Sequence, residues 1–107
     1  RVVQQVEISP NPFTPNGDGI NDQTGIRFAL GNLNAERAIR IEIFDLAGRR
    51  IWSDSQLGFG QQEFSWDGRA TDGRTVAPGV YVCKIDADVD AESASNTGKV
   101  HLISVAY

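Results

Sequence analysis

Arg37-Ala38-Ile39-Arg40-Ile41-Glu42-Ile43-Phe44-Asp45, followed by Leu46-Ala47-Gly48 and Arg49-Arg50-Ile51-Trp52-Ser53, decides the fold. Ile39, Ile41 and Ile43 alternate with Arg40 and Glu42. Only an extended chain puts positions i, i+2 and i+4 on one side, because successive side chains of a strand point to opposite faces. The segment therefore reads as a half-buried strand, and the short turn at Leu46-Ala47-Gly48 returns it as a β-hairpin through Ile51 and Trp52.

The same period recurs on both sides of this hairpin. Val2, Val6 and Ile8 fit one face of a first strand, with Gln4 as the exception. Ile26, Phe28 and Leu30 share a face, as do Phe64 and Trp66, and again Tyr81, Cys83, Ile85 and Ala87. Val100, Leu102, Ile103 and Val105 close the chain. Asp67-Gly68, Asp72-Gly73 and Ala77-Pro78-Gly79 separate these runs with turn residues. Residues 31–36 read as a polar turn, and residues 86–98 as an acidic, solvent-exposed hairpin end. About seven short strands without a helical period predict an all-β, Ig-like or fibronectin-III-like antiparallel β-sandwich.

At 107 residues the chain is the size of one domain, expected to span 1–107. Hydrophobic residues at 40% and charged residues at 22% place it among folded rather than disordered chains. It begins at Arg1 and contains no Met, so it is expected to be a processed chain or a piece excised from a longer one, the excised piece being favoured. The net charge of −4 argues against nucleic acid as a partner, since that affinity rests on Lys and Arg. No apolar run is long enough for a membrane-spanning helix. The lone Cys83 excludes an intrachain disulfide and reads as a small buried hydrophobe.

The least ordinary stretch is Asn11-Pro12-Phe13-Thr14-Pro15-Asn16-Gly17-Asp18-Gly19-Ile20-Asn21-Asp22. Its prolines remove backbone donors and its glycines accept positive φ, so it is a loop. Asn16, Asp18 and Asp22 offer side-chain oxygens at i, i+2 and i+6, with the Ile20 carbonyl between them. Alternating oxygens of this kind suit Ca²⁺, with Asp67 or Asp72 as additional ligands. The EF-hand pattern is not met, because no Glu follows at the required spacing. The competing reading is that Asn and Asp make Asx-turns onto their own backbone.

Enzyme chemistry finds no constellation. His101, the only histidine, sits in an alternating terminal strand, and no Gly-x-Ser-x-Gly occurs. A pair of catalytic carboxylates would need a cleft that a small sandwich does not offer. Carbohydrate binding is the functional rival. Trp52, Phe59 and Phe44 are the aromatics that could stand outside the core to stack on a glycan, whereas Trp66, Tyr81, Phe28 and Phe64 belong to it. Arg49, Arg50, Arg69 and Arg74 are expected to pair with nearby Asp45, Asp67 and Asp72.

Several separated blocks resemble a known family. They are Ser9 through Asp22, Ile43-Phe44-Asp45-Leu46-Ala47-Gly48-Arg49-Arg50, Trp66-Asp67-Gly68-Arg69, Asp72-Gly73-Arg74 and Pro78-Gly79-Val80-Tyr81. Together they resemble the Ig-like domain family of the flagellar hook-capping protein type. The pattern is similar, too, to C-terminal modules of large secreted bacterial proteins, including type IX sorting domains and gliding-associated modules. This resemblance implies a non-catalytic accessory module in an extracellular or cell-surface setting, serving as a spacer, docking platform or sorting and anchoring domain. Its implied partners are neighbouring domains of a parent chain, secretion machinery or envelope components. Hook capping itself is not implied, since nothing here resembles the region that would contact hook protein.

Overall fold

The computed structural model describes residues 3–30, 36–87 and 100–107. They contain seven strands: β1 (Val3–Ser9), β2 (Thr24–Leu30), β3 (Arg37–Phe44), β4 (Arg50–Gly58), β5 (Gly60–Trp66), β6 (Gly79–Ala87) and β7 (Val100–Val105). A three-stranded sheet runs β1-β2-β5 and a four-stranded sheet runs β4-β3-β6-β7. Every neighbouring pair is antiparallel. The expected β-sandwich is what forms.

The alternations seen in the sequence become the two inner faces. Ile26, Phe28, Leu30, Phe64 and Trp66 come from one sheet; Ile39, Ile41, Ile43, Tyr81, Cys83, Ile85, Ala87, Ile103 and Val105 come from the other. Trp66 is the hub. Its ring lies 5.5 Å from Phe13, 5.8 Å edge-on from Tyr81 and 6.3 Å from Trp52. Phe28 and Phe64 stack at 6.1 Å. Such aromatic contacts add roughly 0.5–1.5 kcal/mol each beyond the area they bury.

The first strand differs from its expected register. Val3, Val6 and Ile8 pack on the core, and the spacing changes parity between Val3 and Val6. A β-bulge between Gln4 and Glu7, with Gln5 at φ 57°, inserts the residue that makes this work. Val2 lies outside the described residues, as do residues 31–35 of the expected polar turn and residues 88–98 of the expected acidic segment, whose first residues, Asp86 and Ala87, end β6.

Strand β4 runs to Gly58, well past the Ser53 end expected from the hairpin pattern. The chain then passes from one sheet to the other through Gly58-Phe59-Gly60. Two tyrosine hydroxyls tie the loop before β6: Tyr81 donates to the Ala77 carbonyl at 2.6 Å, and Tyr107 donates to the Val76 carbonyl.

Candidate functional site

The β1–β2 loop is held at its start and its middle. Thr24, a fully buried polar residue, donates its hydroxyl to the Pro10 carbonyl at 2.7 Å. Phe13 is fully buried against Trp66. Its amide donates to the Ser104 carbonyl at 3.1 Å, and its carbonyl accepts the Ala106 amide at 2.9 Å. Pro15 then rests on Gly68, which has φ +77°; a Cβ there would lie 2.7 Å from the Pro15 ring. The Asp-Gly turn after β5 is thus the seat of the opening loop.

Beyond Pro15 the loop closes on itself. The Asn16 side-chain oxygen accepts the Asp18 amide at 3.1 Å, and Asp18 accepts the Ile20 amide at 2.8 Å. Asp22 uses one oxygen for the Gly17 amide at 3.0 Å and the other for the Gly19 amide at 2.7 Å. The Ile20 carbonyl accepts the Thr14 hydroxyl at 3.2 Å. Asn16 and Asp18 make Asx-turns in series, and Asp22 reaches back to two earlier amides.

The other acidic motif residues work in the same way. Asp67 accepts the Arg69 amide at 3.1 Å, and Asp72 accepts the Arg74 amide at 3.0 Å. Asp45 accepts the amides of Ala47 and Arg49 and pairs with the Arg49 guanidinium at 2.9 Å. The Arg49 amide, helped by the guanidinium, holds the Asp45 carboxyl below its ordinary value. Arg69 and Arg74 reach Asp67 and Asp72 at 3.8 Å, while Arg50 turns to Glu42 at 3.1 Å. Exposed pairs of this kind add little stability; their carboxylates act chiefly as turn acceptors.

These bonds leave further lone pairs on the loop oxygens, so the turns and a bound Ca²⁺ are compatible. Asn16, Asp18, Ile20, Asp22, Asp67 and Asp72 each already accept a hydrogen bond within their own turn. Asp22 and Asp67 line one open pocket with Pro15, Gly17, Arg69 and Thr75, and Asp72 is not among its lining residues. Among the described residues, no group of three or more His, Cys, Asp or Glu is placed to hold a metal. The Arg69 guanidinium, bonded to the Gly73 carbonyl at 2.9 Å, is the cation already beside that pocket.

The three candidate aromatics do not form a platform. Trp52 sits inward, half-buried against Trp66, because it pairs with core-facing Ile43. Phe44 faces outward from β3, half-buried, with the Lys84 ammonium 5.6 Å above its ring. Phe59 is 56% exposed, but it lies beyond the opposite end of β3, where Arg37 pairs with Gly58. Seven residue steps separate Arg37 from Phe44, roughly 23 Å at the usual rise. A sugar stacked on one ring would not reach the other. Cys83 is buried, which pushes its thiol up to about 12, so it is an inert core side chain.

Two residues that periodicity did not single out prove structural. Phe13 enters the core from the loop, and its isolation among polar neighbours was the signal. The Asn11 amide bonds the main chain of β7, donating to the Leu102 carbonyl at 3.0 Å and accepting the Ser104 amide at 2.8 Å. No local pattern announces that contact.

Comparison with known proteins places this geometry. No curated protein matches the chain. Among solved structures, dimeric latent PorU from Porphyromonas gingivalis superimposes with a TM-score of 0.67 at 17% identity. The alignment covers 94% of this chain and 9% of that one, so the likeness establishes the fold of a small part of a much longer protein. The profile that matches by sequence is the CHU_C type IX secretion signal domain, over residues 7–102. Of the two branches of the resemblance, the comparisons support the type IX branch and not the hook-capping one. With the blocks it was read from now seen as the turns of one sandwich, the chain belongs to the type IX secretion signal domain family.

Proposed function

We propose that this sandwich is the address by which a larger exported protein is delivered, read by the type IX secretion machinery as a folded surface. A non-catalytic sorting role is the function of the family; the parent cargo, the direct contact with the machinery and the extracellular or cell-surface destination are the finer parts of the reading. The observation that carries it is the family match across residues 7–102. The geometry agrees, since the acidic motif residues are engaged in turns rather than gathered around a substrate cleft. On this reading the motifs make a rigid shape, and recognition is of that shape.

The test is export of a passenger. A fluorescent protein with an ordinary signal peptide is fused ahead of residues 1–107 and expressed in a bacterium that has type IX secretion. The passenger should reach the surface or medium, and should stay periplasmic in a strain lacking the translocon. Periplasmic retention in both strains, with the fusion folded, overturns the proposal.

A further inference from the structure

Among the described residues the sandwich has four edge strands, β1, β5, β4 and β7, and a sheet edge presents backbone groups to which another strand could add. Three carry the usual deterrents in their own sequence. β1 has a bulge and Glu7, β4 has a bulge with Arg50 and Asp54, and β5 has Glu63. β7 reads Val100-His101-Leu102-Ile103-Ser104-Val105 and has no Asp, Glu, Lys, Arg or Pro. Val100 and Leu102 are both more than half exposed. A six-residue run of this composition is the kind that pairs with copies of itself.

That edge is covered by the β1–β2 loop. The Asn11 side-chain amide imitates a peptide group, donating to the Leu102 carbonyl and accepting the Ser104 amide. The Phe13 main chain continues the ladder to the Ser104 carbonyl and the Ala106 amide, making a parallel bridge opposite Val105. Burial of the Phe13 ring anchors the strap. We propose that Asn11 and Phe13 form an edge guard that keeps the domain monomeric, and that releasing it lets β7 pair antiparallel with β7 of a second copy. A two-fold β7–β7 pair is self-complementary, because no like charges meet across it. The guard stands apart from the sorting role and does not depend on it.

The test uses Asn11→Ala, with Asn11→Asp in its place if the alanine variant does not fold. The aspartate keeps the acceptor for Ser104 and loses the donor to Leu102. Light scattering after gel filtration should show the parent as a monomer and the variant as a dimer whose fraction grows with concentration. Hydrogen exchange at the Ser104 amide should rise about tenfold in the dilute, monomeric alanine variant, as expected for loss of one bond, and stay unchanged in the aspartate variant, which keeps that acceptor. Adding Ser104→Pro should restore the monomer, since the Ser104 N–H points to the free edge and proline there blocks strand addition. A variant that stays monomeric at millimolar concentration, or a dimer that Ser104→Pro leaves intact, overturns the proposal.

Discussion

Gly68→Ala tests whether the family's Asp-Gly block is a seat for the opening loop. Gly68 has φ +77°, and a Cβ would fall 2.7 and 2.8 Å from two Pro15 ring carbons and 3.4 Å from the Phe13 ring. Left-handed backbone costs an alanine about 1 kcal/mol. The contact costs more, because neither ring gives way as a flexible side chain would. Pro15 is held by its own ring closure, and Phe13 is wedged against Trp66. Overpacking of that kind costs about 1–3 kcal/mol, so the total loss should be about 2–4 kcal/mol. Gly73→Ala is the matched control: its φ is +89°, yet nothing lies within 4 Å of the added carbon, so only the backbone cost of about 1 kcal/mol remains. Urea unfolding of both variants measures the difference directly, and thermal melts should show Gly68→Ala lower by roughly 8–16 °C. Pro15→Ala in the Gly68→Ala background should recover part of the loss. Equal destabilisation of the two glycine variants within 0.5 kcal/mol, a threshold set by the usual scatter of non-interacting sites, would show that Pro15 does not rest on this turn.

Four further outcomes follow from the same geometry. Thr24→Val removes the partner of the Pro10 carbonyl in a part-buried bond, and should lower stability by about 1 kcal/mol in urea unfolding. Asp45 has a folded pKa below its ordinary value of 3.8, so its contribution is complete above that value and is lost as pH falls through the lower folded value. Urea midpoints between pH 5 and 2 should therefore fall less steeply for Asp45→Asn than for the parent. Cys83, buried and with its thiol at about 12, should resist thiol reagents at pH 8 until the chain is unfolded, then label fully. If the loop is purely structural, added calcium should leave the melting temperature unchanged; a rise would favour the cation reading, because the loop oxygens that accept amides keep further lone pairs for a metal.

The isoleucine alternation of β3 and its echoes in β2, β5 and β6 were enough to specify a sandwich. Period-two burial is a local property, and each strand carries its own copy of it. The turn blocks were legible for the same reason. Asp45, Asp67 and Asp72 bond amides only two to four residues away, so their spacing contains their geometry, and those blocks carried the family. What the carboxylates of the opening loop were for was less legible. An Asx-turn and a calcium loop ask for the same residue types, and the amides placed against Asp22 suit either. Register escaped local reading altogether. The bulge at Gln5 moves Val3 onto the core, and pairing with Ile43 turns Trp52 inward. The Asn11 contact lies furthest from what sequence determines. Its partners are 91 and 93 positions away, so nothing near Asn11 in the chain encodes them. Tertiary structure alone brings the loop to the one edge strand whose own sequence does not protect it.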